Sequence, residues 1–486
     1  MPQDSLSIHC KNLEPLASYG INHFIQKFGI QFTFNEESKI NVIYGTNPKD
    51  TSGFNIYISE GEAPTYRYLK NIESGMRSLL EKIMIFEKNS ENSVFVDNKW
   101  NEDPYVVLDG DGIRVGFDVF NEVGRILTGS LEHFWRMEGD KHELAKVPVV
   151  DYYEKILFGS LSFASRKLNV PLNYKPFWPD GKKFAVCLTH DVDEIRKTYQ
   201  YLTQAVRGLK DRKLSETMYQ LRSLFTDKIL GRNPYWTFEE IMKLEEKLGV
   251  RSTFYFLKET AKVDIFKPST WHHYARRYDF KEPEVAGIIR KLSSNGWEVG
   301  LHGSYESYQD KEKLKYEKKE LEDVLGKRVS GIRQHHLNLK IPETWEYQEE
   351  AGFGYDTSLG FKGGKGIGFR WGTCFPFHPF NNGRMMSILE IPVTIMDISV
   401  TPDRNGWQRC LEIINTVEEY GGVLTLLWHH TVFNEKEYPG MRELYEKVVS
   451  TCREKNGWIT NASSIAKWWL KRELDGGGVE FVKSRT

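Results

Sequence analysis

Apolar strands that end in polar side chains constrain the fold of this chain more than any other feature. The longest apolar run is Phe184–Thr189, and His190 and Asp191 follow it directly. A nearly continuous apolar run of this length is typical of a strand covered on both faces. Later apolar runs end in the same way, at His302, Arg333 and His429.

Predicted helices separate these strands along the chain. Helical patterns cover residues 282–295 and 311–325, and Gly296 and Gly326 follow them as helix stops. Strands that alternate with helices indicate a mostly parallel sheet or barrel, in which the carboxyl ends of the strands share one edge. We therefore expect a (β/α) barrel whose polar strand tips meet at one site.

The length of 486 residues is too great for one ordinary core. We predict a small N-terminal α/β domain over residues 1–150 and a helical, proline-rich connector over 151–180. The barrel is expected over 181–470, with a basic helical insertion at about 196–235. Residues 471–486 are predicted to form a flexible tail.

The predicted N-terminal domain shows strand and hairpin patterns but no catalytic cluster. Residues 40–44 and 54–58 alternate like strands, and residues 105–117 indicate a hairpin around Asp109–Gly112. This Asp-Gly-Asp-Gly stretch lacks the far glutamate that a calcium loop needs, so we interpret it as a turn. A helix is predicted over residues 118–135.

Composition excludes several classes of protein. With 40% hydrophobic and 27% charged residues and a net charge of −1, the chain has a globular composition, and a dedicated nucleic-acid-binding surface is not expected. No apolar run is long enough to predict a membrane span, and the N-terminus has no signal-peptide pattern. The five scattered cysteines contain no Cys-x-x-Cys, which favours a reducing compartment, so we expect a cytoplasmic protein.

The histidines suggest the chemistry of the site. Any one of them is best explained as a satisfied core residue, but four of the thirteen lie at or just beyond predicted strand tips: His190, His302, His335 and His429. Imidazole and carboxylate side chains together can hold a divalent cation that activates water. The sequence therefore favours metal-assisted hydrolysis.

The order of the motifs resembles that of the polysaccharide deacetylases of carbohydrate esterase family 4. The stretches that carry the resemblance are Thr189–Asp193, Ser252–Phe256, Gly300–Glu306, Arg333–His336, Gly354–Ser358 and Leu426–His429. They cover about residues 181–470. The resemblance implies a distorted (β/α) barrel of the polysaccharide-deacetylase type and a metal-dependent hydrolase that removes acetyl groups from an N- or O-acetylated glycan or sugar.

The resemblance also implies roles for single residues. Asp191 would be the catalytic base, Arg333 would orient it, and His429 would be the general acid. His302 would be a ligand of the metal, which we expect to be zinc. We assign substrate contacts to Tyr305, Asp356, Arg370 and Trp428; Arg370 lies in an aromatic stretch, residues 368–377, that a buried structural loop would explain equally well.

Two positions depart from the family pattern. Val192 stands where the family has a second metal-binding aspartate, and Glu306 stands where it has a second histidine. Asp193 lies on the same side of an extended chain as Asp191 and is a replacement ligand, Glu306 could share a helical face with His302, and His335 is a further candidate. The alternatives are a catalytically degenerate glycan-binding or scaffold protein, or another amide hydrolase on the same barrel.

Overall fold

The structure is a computed structural model that describes residues 6–45, 52–59, 106–109, 112–138, 143–263, 266, 273, 276–362 and 366–474. The chain divides into two compact units. The N-terminal unit comprises residues 1–181, 368–386 and 468–486, and the barrel unit comprises residues 182–367 and 387–467. Elements are numbered along the chain.

The N-terminal unit is built on a six-stranded sheet in the order β2-β1-β3-β4-β6-β5. All neighbours are parallel except β5 and β6, which form the predicted hairpin. Its strands are β1 Leu6–Cys10, β2 Thr33–Phe34, β3 Ile40–Tyr44, β4 Phe54–Ile58, β5 Val106–Asp109 and β6 Gly112–Val115. Its helices are α1 Pro15–Phe28, α2 Val119–Ile126, α3 Leu131–Glu138 and α4 Val149–Leu168.

The structure of this unit differs from two expectations drawn from the sequence. The helix predicted over 118–135 is interrupted, because Gly129 adopts a φ of +96° that ends the helical path between α2 and α3. The segment predicted as a connector is largely α4, whose Asp151 and Glu154 are buried and bind Lys27 at 2.8 and 2.7 Å. Residues 151–180 therefore belong to the N-terminal unit and do not form a separate connector.

Residues 368–386, which the sequence placed inside the barrel, also belong to the N-terminal unit. They contain the short antiparallel pair β12 Phe380–Asn381 and β13 Arg384–Met385. Phe375 in this segment packs on Phe177 and Trp469, with ring centroids 4.9 and 5.9 Å away. Trp469 lies in the last described helix, α13 Ala462–Leu474.

The barrel unit contains a parallel sheet in the order β14-β11-β10-β9-β8-β7-β16-β15, with β17 paired to the start of β7. Its strands are β7 Phe184–Val192, β8 Thr253–Leu257, β9 Glu298–Gly303, β10 Gly331–Gln334, β11 Tyr355–Asp356, β14 Leu389–Glu390, β15 Ile395–Met396, β16 Val423–Leu427 and β17 Gly457–Thr460. Strand β7 exchanges partners along its length, because its first half pairs with β17 and its second half with β8.

The sheet must be curled, because its two edge strands are consecutive in the chain. Only residues 391–394 separate β14 from β15, and a chain of this length spans at most about 18 Å. Eight strands laid flat would separate the edges by roughly 34 Å. The distorted (β/α) barrel predicted from the sequence is thereby confirmed.

Helices surround the barrel sheet between consecutive strands. They are α5 Gln200–Lys210, α6 Leu214–Leu230, α7 Phe238–Leu248, α8 Pro283–Ser294, α9 Lys311–Leu325, α10 Glu343–Glu350, α11 Arg404–Tyr420 and α12 Met441–Glu454. Helices α5 and α6 form the insertion after β7. Among the residues that the structure describes, no helix combines the length and apolar character needed to cross a bilayer.

Candidate active site

A cavity of about 390 Å³ opens at the carboxyl ends of the barrel strands. It is lined by ionisable side chains from five of these strands and the segments that follow them: Asp191, Asp193, Glu194, Arg276, His302, His335, His336, His429 and His430. Hydroxyl and amide groups of the insertion and of later loops also line it: Tyr199, Gln200, Thr203, Gln204, Tyr235, Thr431 and Tyr438. The remaining lining residues are apolar: Leu337, Met396, Ile398, Leu427 and Val432.

Strand alternation decides which residues of the β7 tip reach this cavity. Asp191 and Asp193 both line it, whereas His190 faces the opposite side of the sheet. His190 contacts the Trp428 carbonyl oxygen through Nδ1 at 2.9 Å and Glu245 Oε1 through Nε2 at 3.1 Å. It is therefore a satisfied core residue. Val192 is also fully buried.

Asp191 is held by Arg333, which is itself completely buried. Arg333 Nη1 donates to Asp191 Oδ1 and to Thr189 Oγ1, both at 2.7 Å, and Nε donates to the Thr357 carbonyl oxygen at 2.9 Å. Burial alone would raise the pKa of Asp191, but Arg333, with help from His302, lowers it below the ordinary value. Asp191 is thus held as a carboxylate at the cavity wall.

Asp193, His302 and His335 form the group best suited to a metal ion in the described part of the chain. His302 Nε2 lies 3.1 Å from Asp193 Oδ1, and His335 Nε2 lies 3.4 Å from Asp193 Oδ2. His302 Nδ1 contacts the Arg333 carbonyl oxygen at 2.9 Å. Because a carbonyl oxygen only accepts, the proton of the neutral imidazole lies on Nδ1, and Nε2 carries a lone pair.

The unpartnered atoms of this group fit a cation. His302 Nε2 and Asp193 Oδ1 are both buried and have no hydrogen-bond partner. Two electron pairs facing each other at 3.1 Å repel unless a proton or a cation lies between them. A nitrogen and carboxylate donor set of this kind suits zinc. Asp193 and His302 therefore fit the divalent ion that the sequence predicted, whereas His335 Nε2 also lies 3.1 Å from Arg276 Nη1.

His429 occupies another side of the cavity and is oriented by Asp397. Its Nδ1 donates to Asp397 Oδ1 at 2.9 Å, and its backbone N donates to Oδ2 at 2.6 Å. Burial would lower the pKa of His429, but the Asp397 carboxylate raises it to about 10. The imidazole is therefore protonated at neutral pH, and its Nε2 lies 3.9 Å from Asp193 Oδ2.

Besides Arg333, which binds Asp191 from behind, and Tyr305, four of the site residues predicted from the sequence do not line the cavity. Glu306 binds Lys313 Nζ at 2.9 Å. It does not join His302, because the chain leaves β9 through a turn and no helical face carries both residues. Asp356 is fully buried and accepts from Ser358 Oγ at 2.5 Å. Trp428 points away from the neighbouring cavity residue Leu427 and packs on the Tyr445 ring.

The fourth is Arg370, which belongs to the N-terminal unit. Its Nε and Nη2 donate to the two oxygens of Glu132 at 2.9 and 2.7 Å. Tyr305, the remaining predicted substrate contact, is 39% exposed, and its ring lies 5.6 Å from that of His336, a cavity residue. The aromatic stretch 368–377 thus has the structural role that the sequence left open as its alternative.

Several cavity residues were missed by sequence reasoning. Asp397 follows β15 directly, so the strand-tip rule applies to it, but a two-residue strand is too short to recognise from its pattern. Arg276 lies far from any predicted strand tip, yet its Nη1 is 3.1 Å from His335 Nε2 and its Nε is 2.9 Å from Glu194 Oε1. No local sequence signal identifies it.

No protein-family profile and no curated protein matches the chain. Solved structures do. One, from Mycobacterium smegmatis and assigned to the polysaccharide deacetylases, shows 19% identity, a TM-score of 0.41 and coverage of 61% of this chain and 93% of its own. The allantoinase PuuE shows 15% identity, a TM-score of 0.42 and coverage of 61% and 93%.

A third solved structure is that of BA3943, a CE4 family pseudoenzyme from Bacillus anthracis. It shows 12% identity and a TM-score of 0.29, and the match covers 59% of this chain and 66% of its own. These three solved structures are thus similar to the chain at 12–19% identity and TM-scores of 0.29–0.42.

Proposed function

We propose that the barrel unit is a metal-dependent hydrolase that removes acetyl groups from an N- or O-acetylated glycan or sugar. One observation carries the proposal: a buried carboxylate, a potential metal cluster and an imidazole oriented by the Asp397 carboxylate surround one cavity. Asp191, the Asp193–His302–His335 group and His429 all line it. These are the parts that metal-assisted hydrolysis of an acyl group requires.

Each side chain has a distinct task in this proposal. A zinc ion held by Asp193, His302 and His335 would lower the pKa of bound water and polarise the acetyl carbonyl. Asp191 accepts the proton of the attacking water, because Arg333 keeps it ionised and fixed in place. His429, protonated and oriented by Asp397, donates a proton to the leaving nitrogen or oxygen.

The lining of the cavity is compatible with a sugar. Its volume of about 390 Å³ lies at the small end of ligand sites. Tyr199, Gln200, Gln204 and Tyr235 present hydroxyl and amide groups that can hydrogen-bond to sugar hydroxyls.

Acetate release from N-acetylglucosamine oligomers, together with zinc content, tests the proposal. We expect Asp191→Asn to reduce the rate by at least about 10²-fold with zinc retained, and Asp193→Asn to reduce both rate and zinc affinity. Glu312→Gln, on an exposed side chain of α9, is the matched control. Unchanged acetate release in Asp191→Asn would contradict the assigned base. If Glu306→Gln lost zinc, Glu306 would be a zinc ligand, as predicted from the sequence.

A second candidate is a catalytically degenerate glycan-binding protein, and Arg276 is the observation that favours it. A guanidinium that donates to His335 Nε2 at 3.1 Å occupies the lone pair that a metal would need. Purified protein without zinc affinity, but with affinity for the same oligomers, would support this candidate. Hydrolysis of small amides with no action on sugars would instead support another amide hydrolase.

We also propose a cytoplasmic location, based on the cysteines. All five are free thiols, and all five are buried. Buried thiols that remain unpaired persist most readily in a reducing compartment. Fractionation of cells that express the chain, with a cytoplasmic marker enzyme as reference, tests this proposal.

A further inference from the structure

The insertion after β7 forms a helical hairpin that consists of α5 and α6, and we call it the insertion hairpin. Its two helices run antiparallel. Tyr201 near the start of α5 donates to Asp227 near the end of α6 at 2.9 Å. At the other end, Thr217 Oγ1 donates to the Ala205 carbonyl oxygen, and Gly208 allows close approach of Thr217.

The outer surface of the insertion hairpin carries apolar side chains at helical spacing. They are Leu202, Val206 and Leu209 on α5, and Leu214, Met218, Leu221, Phe225 and Ile229 on α6. Each is between 38% and 81% exposed. Spacings of three and four residues place each set along one stripe of its helix. A monomeric globular protein rarely exposes so continuous an apolar surface.

The two stripes face the same side of the hairpin. At about 100° per residue, the stripe on each helix is rotated by roughly 100–130° from the row of residues that packs against the other helix. Viewed from the amino end, this rotation has the same sense on both helices. Because the helices run in opposite directions, equal senses of rotation bring both stripes to one side. The insertion hairpin therefore presents a single apolar face.

The charges beside this face are predominantly basic. Residues 200–232 contain seven basic and three acidic residues, a net charge of +4, although the whole chain has a net charge of −1. The acidic side chains already have partners: Asp227 accepts from Tyr201, Glu216 from Lys213 at 2.9 Å, and Asp211 lies 3.8 Å from Arg207. The remaining exposed basic residues are Lys210, Arg212, Arg222, Lys228 and Arg232.

We propose that the insertion hairpin docks on the surface of an anionic lipid bilayer, with its apolar face in the interfacial region. An apolar helical face flanked by Lys and Arg is the pattern of interfacial helices, and phosphate-bearing headgroups supply the complementary charge. A second copy of the chain fits less well, since a two-fold contact would bring the same basic residues of each copy together without free acidic partners.

The docking surface and the cavity share helix α5. Gln200, Thr203 and Gln204 line the cavity, whereas Leu202, Val206 and Leu209 form the exposed stripe of the same helix. A docked hairpin would thus hold the cavity beside the headgroups. The inference concerns binding to lipid and does not depend on the reaction proposed above.

Co-sedimentation of the full chain with phosphatidylcholine vesicles, with and without phosphatidylglycerol, tests this inference at low and high salt. We expect the protein to partition onto phosphatidylglycerol vesicles at least about tenfold more strongly than onto pure phosphatidylcholine, and salt to weaken this binding. The triple variant Leu209→Ser, Met218→Ser, Phe225→Ser should lose at least about tenfold in partitioning. These side chains are exposed and do not line the cavity, so the circular dichroism spectrum and the rate of acetate release should stay unchanged.

The matched control is Tyr316→Ser, which removes an exposed aromatic ring from α9 outside the hairpin and should bind vesicles like the parent. Equal partitioning of the parent and the triple variant would overturn the inference. Light scattering tests whether a second copy of the chain occupies the face instead. If the parent were a dimer and the triple variant a monomer, a second copy would cover the apolar face, and the inference would also be overturned.

Discussion

At the scale of single residues, the site depends on pairs in which one partner is buried and fixes the other. Arg333 holds Asp191 and also packs over the ring of Tyr255, 4.7 Å from its centroid. Asp397 holds His429 through two hydrogen bonds. Neither Arg333 nor Asp397 lines the cavity, so we expect both to act by positioning and charge rather than by contact with substrate.

Replacing Asp397 tests this positioning role. Asp397→Asn keeps the shape but removes the charge that raises the pKa of His429, so less of the imidazole is protonated at a given pH. We expect kcat to fall by about 10²-fold or more with KM little changed, and the alkaline limb of the pH–rate profile to move to lower pH. An unchanged alkaline limb would show that His429 is not the group that titrates there.

Glu317 gives a prediction about stability rather than activity. Its carboxyl group is buried beside the backbone N of Ser304 and the hydroxyl group of Thr260, and burial raises its pKa to about 7. The unfolded chain ionises this group near pH 4.5, so its contribution to stability is complete below that pH and is lost as pH rises through about 7. The difference corresponds to about 3 kcal/mol.

Urea unfolding at pH 5 and pH 8 measures this effect. The parent should lose stability between the two pH values, and Glu317→Gln should lose about 2–3 kcal/mol less, because part of the effect is already lost at pH 5. Glu312→Gln serves as the exposed control on the same helix. An equal loss in the parent and in Glu317→Gln would mean that other groups cause the pH dependence.

Residue-scale prediction succeeded where strand alternation and strand tips determine the environment. The alternation of β7 anticipates that Asp193 lies on the Asp191 side and Val192 on the other. It failed where a contact joins distant segments, as at Arg276, because no local pattern records a partner far away in the chain. It also failed at Glu306, where a turn replaced the assumed helix.

At the scale of elements, glycines in two adjacent strands leave room for tyrosine rings from the strands paired with them. A Cβ atom at Gly331 of β10 would lie 2.1 Å from Tyr355 Oη, and one at Gly300 of β9 would lie 2.6 Å from the Tyr255 ring. Arg333 lies two residues after Gly331 on the same face of β10. Arg333 packs over the Tyr255 ring, so its position depends on the space that Gly300 leaves for that ring.

A pair of glycine substitutions tests this packing. Gly331→Ala should destabilise the fold by about 1–3 kcal/mol, because the rigid Tyr355 ring must move. Gly287→Ala is the control, since Gly287 lies within α8 and a Cβ atom there would meet nothing within 4 Å. We expect the control to stabilise the protein by roughly 0.5–1 kcal/mol. Thermal unfolding of the two variants should therefore shift in opposite directions.

Long elements were predictable and short ones were not. The predicted bounds of β3, β4 and α9 agree with the structure, because each carries an unbroken pattern. Strands β11, β14 and β15 have two residues each, which is too few for any periodicity. They are nevertheless needed to bring the edges of the sheet together, so the closure of the barrel could not be derived from the pattern alone.

At the scale of the whole molecule, the chain passes between the two units four times. The passages lie at residues 181–182, 367–368, 386–387 and 467–468. The N-terminal unit therefore includes Phe375 and Trp469 in its core although they follow most of the barrel in sequence. Composition changes along the chain could not predict this, since segment 368–386 is apolar and aromatic like a barrel segment.

A truncated chain tests the importance of this connectivity. Residues 182–467 alone retain segment 368–386 but lack Phe177 and Trp469, which bury Phe375 in the N-terminal unit. We expect this fragment to aggregate or to bind a hydrophobic dye. The same fragment with residues 368–386 replaced by a glycine–serine linker should be recovered in higher soluble yield. Equal yields would show that the segment tolerates exposure.

The four passages also affect the order in which the protein can be completed during synthesis. Domains generally fold as units from the amino end while the ribosome is still translating. Here the sheet of the N-terminal unit is made before the barrel, yet the aromatic residues that complete its core arrive only with segment 368–386 and with helix α13. The barrel can close before the N-terminal unit is complete, so the unit that is begun before the barrel is finished after it.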